Sequence, residues 1–188
     1  GLITYMRTDS VNLSEEALQS GKEVLTELFG KQYALPQPRR FKTKSKGAQE
    51  AHEAVRPADP RRHPEITKQY LERNQFRLYD LIWRRFMASQ MPEAVFDSTS
   101  IDIDAKAENG TAYGLRATGQ IMKFDGFLKV YTTKTEEVEL PDVKNGETLK
   151  KISIDPVQHF TEPPPRYTEA SLIKLLEENG IGRPSTYA

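Results

Sequence analysis

NQFRLYDLIWRRFMASQMPE, residues 74–93, contains the point at which the periodicity of the chain changes. Apolar side chains recur there at three- and four-residue spacing, at Phe76, Tyr79, Ile82, Trp83 and Phe86. This spacing predicts an amphipathic helix that begins near Asn74, with Trp83 on the stripe that faces the core. Pro92 disfavours helical geometry in the residue before it, so the helix should end at Met91. The fold is therefore expected to change class at residue 92.

Beyond Pro92 the apolar residues alternate with polar ones, which is the pattern of half-buried strands. The segment from Val95 to Asp104 alternates in this way, and an Asn109-Gly110 turn leads into a second alternating run, 113–118. Two such runs around Asn-Gly predict a β-hairpin. Residues 121–131, interrupted by Gly126, and 149–160 are predicted to extend an antiparallel sheet.

Helices are predicted on both sides of this sheet. Ser14 begins an amphipathic run that continues to Gly30, and Thr168 begins another that closes at Gly180. The stretch 33–64 is predicted to be a loop with a short helix around 49–55, and prolines 163–165 form a stiff linker. The predicted class is α+β in a multidomain fragment: a helical part, 1–91, a β-rich part, 92–161, and a linker with the start of a second helical domain, 162–188.

Composition restricts the function classes. The 188 residues include 27 basic and 27 acidic side chains and no cysteine. The balance implies no partner by itself, and the absence of cysteine excludes disulfides and thiolate metal sites and is typical of cytoplasmic proteins. There is no apolar run of about eighteen residues and no leader-like segment, so no membrane partner is expected. Because the chain begins at Gly1 and ends just after a motif, we expect a piece of a larger protein.

A local excess of cations lies within this neutral total. Five basic residues and no acidic one occur in eight positions, at Arg39, Arg40, Lys42, Lys44 and Lys46. Runs of this kind neutralise phosphates through counterion release, but they are also found as ordinary solvated surface. Charge alone leaves both interpretations open.

The opening segment GLITYMRTDS, residues 1–10, places Tyr5 two positions before Arg7. A phenol attacks phosphorus poorly unless a cation stabilises the phenolate and the developing negative charge. In an extended segment residues i and i+2 point to the same side, so Tyr5 and Arg7 could meet at one phosphate. Taken alone, the pattern is weak evidence for a nucleophile and favours an aromatic side chain used for packing.

Four separated segments together resemble type IA DNA topoisomerases, in the form found in bacteria. They are GLITYMRTDS at 1–10, AQEAHEAVRP at 48–57, RLYDLIWRRFMASQMPEA at 77–94 and YTEASLIKLLEENGIGRPSTYA at 167–188. They occur in the family's order and extend over the whole chain. The resemblance implies that 92–161 is the arch or hinge region, which lets the tyrosine domain lift so that a strand can pass.

The resemblance assigns roles to the first segment. Tyr5 is at the position of the nucleophile, which becomes linked to the 5′ phosphate of a cleaved single strand. Arg7 is at the position of the arginine that contacts the scissile phosphate. Thr8 and Ser10 accompany them, and their hydroxyls are predicted either to bind phosphate or to cap the following helix.

The other matching segments supply expected DNA contacts. His52 is at the family's histidine near the active site, and Arg56 lies beside it. Glycines 180 and 182 permit close backbone approach, and the segment after them resembles a helix start whose amides attract anions. Without the resemblance, this pattern favours an ordinary connection between helices. The resemblance implies that Arg183, Ser185 and Thr186 contact the DNA backbone.

The cofactor implied by the resemblance is Mg2+, held by an acidic cluster, Asp-x-Asp-x-Glu, in a domain that these 188 residues do not contain. Asp102 and Asp104 imitate the cluster, but Lys106 stands where glutamate is needed, so both are predicted to be on the solvent face of a strand. His63 and His159 match no family motif and are predicted to be surface residues.

The implied function is ATP-independent relaxation of negatively supercoiled DNA by single-strand cleavage, strand passage and religation. No phosphate-binding GxxxxGK[ST] loop occurs, as expected for an enzyme that needs no ATP. The expected partners are single-stranded and supercoiled DNA and the metal-binding domain of the same polypeptide, in the cytoplasm at the nucleoid. Without that domain the fragment should be inactive. The alternative is a noncatalytic DNA-binding module in which Tyr5 is structural.

Overall fold

The computed structural model describes residues 1–6, 8, 10–41, 52–133, 136–182 and 186. The chain forms two compact units, Gly1–Leu140 and Pro141–Ala188. The first contains the N-terminal segment, the larger helices and the hairpin, and the described part of the second contains one helix. Helices together with an antiparallel sheet confirm the predicted α+β class. The domain limits proposed at residues 91 and 161 stay predictions.

Helix α1, Glu15–Phe29, has the predicted limits. The Ser14 hydroxyl accepts a hydrogen bond from the Ala17 amide, which satisfies one of the free donors at the helix start. Gly30 ends the helix at φ 96°, a conformation that favours glycine. One face of α1 is buried, at Ala17, Leu18, Gly21, Val24 and Leu25.

Two helical segments follow in the first unit after the 3-10 turn Lys31–Tyr33. Helix α2 is the single turn Pro64–Thr67, followed by the 3-10 turn Lys68–Tyr70. Helix α3, Arg73–Ser89, agrees with the predicted helix except that it ends two residues earlier. The helix expected around 49–55 is absent from its described part, 52–55, which is irregular.

The hydrophobic core of the first unit lies between α1, α3 and the segment that follows the hairpin. Its buried members are Val24, Leu25, Tyr79, Trp83, Phe86, Met87, Met91 and Val130. Trp83 is only 2% exposed, and its indole nitrogen donates to the Pro60 carbonyl at 2.9 Å. The prediction that Trp83 is a core residue is confirmed.

Strands β1, Val95–Lys106, and β2, Ala112–Phe124, form the predicted hairpin. They pair antiparallel with Ile101 opposite Ala117, and the turn contains Gly110 at φ 85°. Asp102 is exposed and pairs with Arg116 across the strands, with 2.6 Å between Oδ1 and Nε. The prediction that Asp102 and Asp104 are on the solvent face is confirmed, because both are exposed on β1.

The prediction of a separate strand at 121–131 is wrong. Strand β2 runs on to Phe124, and residues Gly126–Lys129 form a 3-10 turn. Gly126 adopts φ 49°, and a Cβ there would lie 2.4 Å from the Glu93 carbonyl oxygen. Gly126 thus marks the end of the sheet because only glycine fits this approach to the chain entering β1.

The strand predicted at 149–160 is also wrong, since those residues have no regular secondary structure. A strand needs hydrogen-bonding partners as well as an alternating sequence. In the described part of the chain, the sheet has two strands, and its only extension is a bridge between Gln120 and Val138. In the second unit α4, Glu169–Glu178, confirms the predicted helix, with Thr168 as its cap and Gly180 at φ 68° after it.

The end of the hairpin packs against the helices of its own unit. The Phe127 amide donates to the Pro92 carbonyl at 2.9 Å, which closes the base of the hairpin. Arg84 of α3 donates from Nη1 to the Val130 carbonyl at 3.1 Å, while the Val130 side chain enters the core. Within the described ranges, no helix combines the length and apolar character needed to cross a bilayer.

Candidate active site

The N-terminal segment is fixed by pairing with a segment more than fifty residues later. Ile3 and Pro57 form an antiparallel bridge. On one side of it the Thr4 amide donates to the Arg56 carbonyl at 2.9 Å, and on the other the Ala58 amide donates to the Leu2 carbonyl at 2.9 Å. These bonds hold residues 2–4 in a defined register.

The Thr4 side chain strengthens this pairing. Its hydroxyl donates to the Ala54 carbonyl at 2.7 Å and accepts from the Arg56 amide at 3.0 Å. A half-buried hydroxyl that both donates and accepts leaves neither backbone group unsatisfied. Thr4 is therefore the last firmly held residue before Tyr5.

Tyr5 itself is 66% exposed. Its ring centroid lies 6.4 Å from that of His52, with the ring planes tilted by 46°. His52 is half-buried, and its Nδ1 is shielded from solvent. The structure thus brings together the rings of two predicted site residues and leaves most of the Tyr5 surface exposed to solvent.

A two-pronged ion pair lies in the segment that follows His52. Arg56 donates from Nε to Glu53 Oε1 at 2.8 Å and from Nη2 to Glu53 Oε2 at 2.9 Å. Its Nη1 donates to the carbonyls of Pro57 and Ala58 at 2.8 and 3.3 Å. The Arg56 side chain is only 12% exposed. The predicted DNA contact of Arg56 stays a prediction, and the guanidinium already has protein acceptors at every nitrogen.

Glu53 has a second donor. The Ser14 amide, at the start of α1, donates to Oε1 at 2.9 Å. Burial raises the pKa of Glu53, but the hydrogen bonds from Arg56 and Ser14, with the positive charge of Arg56, outweigh it and hold the pKa below its ordinary value. Glu53 therefore remains ionised at neutral pH.

The two hydroxyl residues after Tyr5 differ. Ser10 is buried, and its Oγ accepts from the Asn12 amide at 3.2 Å. Capping of the following helix by Ser10 is wrong, because Ser14 has that role. Thr8 is exposed. The phosphate contacts of Thr8 and Ser10 stay predictions, with Thr8 the more accessible of the two.

Several predicted residues lie outside the described ranges: Arg7, Arg183 and Ser185, with Lys42, Lys44 and Lys46 of the basic run. Thr186 is described and exposed. The two described cations of the run are near carboxylates, since Arg40 pairs with Glu15 and Arg39 Nη2 lies 3.8 Å from Glu93 Oε1.

In the part of the chain that the structure describes, no three His, Asp or Glu side chains gather as a metal site. His63 is not the surface residue expected. It is half-buried, its Nδ1 accepts from the Glu65 amide at the start of α2, and its ring packs edge-on against Trp83 at 4.7 Å. His159 is exposed, as predicted.

Sequence reasoning missed Thr4 and Glu53 as residues that shape the site. Glu53 could have been recognised from its spacing of three residues from Arg56. The Thr4 contacts join positions 50 and 52 residues apart, so no local pattern reveals them.

The amino-acid sequence of the chain is similar to those of known proteins from one family. The sequence profile described as DNA topoisomerase matches residues 1–188. DNA topoisomerase 1 of Pseudomonas aeruginosa is 49% identical over 191 residues, which cover 100% of this chain and 21% of that protein. DNA topoisomerase 1 of Rickettsia felis is 46% identical over 194 residues, which cover 100% of this chain and 25% of that protein.

A solved structure shows the same fold. Full-length topoisomerase I from Thermotoga maritima matches with a TM-score of 0.82 and 38% identity, over 100% of this chain and 29% of that one. The chain thus spans between 21% and 29% of the length of these three relatives.

Proposed function

Since the chain belongs to the DNA topoisomerase family, we propose that it is the part of a type IA enzyme that cleaves one DNA strand through Tyr5. The observation that carries the proposal is the exposed Tyr5 side chain immediately after Thr4, whose backbone and side chain are both held by hydrogen bonds. A nucleophile needs a backbone that is held in place and a side chain that the substrate can reach, and Tyr5 meets both requirements.

In the proposed reaction the Tyr5 oxygen attacks a DNA phosphorus in line with the 3′ oxygen of the preceding nucleotide. The bond from tyrosine oxygen to phosphorus forms, and the bond from phosphorus to the 3′ oxygen breaks. The phenol loses its proton, and the leaving 3′ oxygen gains one. One phosphodiester replaces another, so religation is the same exchange in reverse and consumes no ATP.

Charged and polar neighbours would assist this exchange. Arg7 is proposed to stabilise the charge that develops on the phosphate oxygens. His52, with its ring centroid 6.4 Å from that of Tyr5, is proposed to contact the phosphate. Thr8, Ser10, Arg183, Ser185 and Thr186 are proposed to bind the backbone of the strand.

The parent enzyme is proposed to relax negatively supercoiled DNA in the bacterial cytoplasm at the nucleoid, with the region around β1 and β2 serving as the arch that lets a second strand pass. The Mg2+ expected for the intact enzyme would help to orient the 3′ oxygen for resealing. Its ligands are proposed to be an acidic cluster in another part of the polypeptide; among the described residues no three His, Asp or Glu side chains gather as a metal site. The 188-residue chain alone is therefore proposed to be inactive in relaxation.

The test is Tyr5→Phe in the full-length enzyme with a single-stranded oligonucleotide labelled at its 3′ end. Denaturation during turnover traps the label on wild-type protein. Tyr5→Phe should trap none and should still bind the oligonucleotide, because the change removes only one oxygen. Tyr70→Phe is a matched control, since Tyr70 is 77% exposed and belongs to the turn after α2.

Two outcomes would contradict the proposal. Trapped label on Tyr5→Phe would mean that another residue is the nucleophile. Unchanged relaxation by Tyr5→Phe would favour the noncatalytic DNA-binding module instead.

A further inference from the structure

Arg56 has the environment of a structural cation. Its side chain is 12% exposed, and Nε, Nη1 and Nη2 all donate to protein oxygens. A phosphate contact would require the guanidinium to give up part of the two-pronged pairing with Glu53, which is the strongest geometry available to it. The contacts of Arg56 therefore point inward.

The backbone of Arg56 is connected directly to the residue before Tyr5. The Arg56 carbonyl accepts from the Thr4 amide at 2.9 Å, and the Arg56 amide donates to the Thr4 hydroxyl at 3.0 Å. Any shift of the backbone at Arg56 would therefore move Thr4, and with it Tyr5.

Glu53 directly follows His52 in the chain, so its backbone is bonded to that of the second site residue. Its carboxylate is shared between Arg56 and the Ser14 amide that opens α1. Further along α1, Leu25 is fully buried in the core. The Glu53 carboxylate therefore connects the 52–56 loop to the start of α1, a helix that packs in the core of the unit.

We propose that Glu53 and Arg56 are a positioning pair for DNA cleavage, which holds Thr4 and the 52–56 loop so that Tyr5 and His52 face the same phosphate. This inference rests on the proposed nucleophilic role of Tyr5. Neither residue of the pair touches the DNA. Their effect on the reaction is transmitted through the backbone at Thr4 and His52.

The test separates positioning from phosphate binding in the full-length enzyme. Arg56→Lys keeps the charge but loses the planar fork that matches a carboxylate. Because a misplacement of about 1 Å can cost about 100-fold in rate, we expect the single-turnover rate of adduct formation at saturating oligonucleotide to fall between about 10- and 100-fold. The Kd for the oligonucleotide and its salt dependence should not change.

Arg56→Ala distinguishes the two roles further. If Arg56 binds a phosphate, its removal lowers the slope of log K against log salt by about 0.7 for single-stranded DNA and leaves the cleavage rate at saturation intact. That result overturns the positioning role. A reduced rate with an unchanged slope supports it.

Glu53→Gln gives an independent measurement, since a lost carboxylate cannot be a lost phosphate contact. It should lower the cleavage rate to a similar extent, and Glu53→Gln with Arg56→Lys should cost little more than either change alone because both break one interaction. Additive losses would contradict a shared role. Unfolded molecules reduce the amplitude of the adduct, whereas misplacement reduces its rate, so folding defects are distinguished in the same experiment.

Arg61→Lys is the matched control. Arg61 forms an ion pair with Glu23 at 2.6 Å, but both side chains are about half exposed, and such pairs contribute little. Its cleavage rate should equal that of the wild type. Tyr5→Phe in the same assay keeps the two proposals apart. Adduct on Tyr5→Phe removes the basis of both, whereas loss of adduct there with a normal rate in Glu53→Gln and Arg56→Lys overturns only the positioning pair.

Discussion

The phenol of Tyr33 donates a 2.6 Å hydrogen bond to Oδ1 of Asp125, a residue 92 positions later. Tyr33 ends the turn after α1, and Asp125 directly follows β2. The Tyr33 ring also lies 5.1 Å from that of Phe124, and Lys129 pairs with the other oxygen of Asp125 at 3.5 Å. The base of the hairpin is thus fastened to the helices by a hydrogen bond and by ring packing.

Replacing Tyr33 with phenylalanine should lower the free energy of unfolding by about 1–2 kcal/mol, because a hydrogen bond to a charged group is lost while the ring remains. Urea denaturation measures the change. Tyr5→Phe, which also removes one phenolic oxygen but from an exposed ring, should stay within about 0.5 kcal/mol of wild type. Equal losses in the two variants would mean that the bond to Asp125 contributes nothing.

The same bond predicts a dependence on alkaline pH. The hydrogen bond to Asp125, together with burial and the negative charge of Asp125, raises the pKa of Tyr33. A raised pKa means that the folded state holds the proton more tightly, so the stabilisation is complete below the ordinary tyrosine value of about 10 and is lost as pH rises through the folded value. The difference in unfolding free energy between wild type and Tyr33→Phe should therefore be full at pH 8 and should shrink as the pH rises above 10 and through the raised folded value. A constant difference between them would contradict the raised pKa.

Glu53 predicts the opposite dependence, in acid. Its lowered pKa means that the ionised carboxylate stabilises the fold above the ordinary value of about 4.3, and that this contribution is lost as pH falls through the folded value. Glu53→Gln should thus be less stable than wild type at pH 7, with the difference closing below about pH 4. Glu27→Gln, at an exposed position of α1, is the matched control and should stay within about 0.5 kcal/mol at pH 7. A difference that persists in acid would exclude the carboxylate as its source.

Gly126→Ala should disrupt the base of the hairpin. The added Cβ would lie 2.4 Å from the Glu93 carbonyl oxygen, in addition to the strain of a positive φ. Gly110→Ala is the matched control, since it has a positive φ but open space around it. We expect a loss of about 1 kcal/mol for Gly110→Ala and at least about 2 kcal/mol more for Gly126→Ala, measured by urea denaturation. Similar losses would show that the backbone at Glu93 moves away without cost.

The elements predicted correctly are those whose signals are local. Ser14 and Gly30 bound α1 because a hydroxyl cap and a positive φ each depend on a single residue. The Asn109-Gly110 turn located the hairpin for the same reason. The run 149–160 has an equally clear alternation, yet it forms no strand, because strand formation depends on a partner that the alternation cannot supply.

The sequence was sufficient to predict the types of residue in the candidate site. It predicted only some of the contacts that these residues make. The sequence motif identified Tyr5 and His52, which lie near each other. The motif could not reveal that Arg56 faces Glu53, or that His63 caps α2 and packs on Trp83, because these contacts arise from packing. In both cases the polar side chain makes contacts within the protein that stabilise the local structure.

The sharing of the Glu53 carboxylate between Arg56 and Ser14 has a mechanical consequence for the proposed reaction. If Tyr5 carries a cleaved DNA end, the hydrogen bonds from Thr4 to the 52–56 loop and the Glu53 carboxylate between that loop and Ser14 connect the attachment point to the start of α1, in addition to the covalent chain. A pull on the attached strand would then be resisted by the 52–56 loop and α1 together, so the DNA end would move with these elements instead of stretching the short segment around Tyr5.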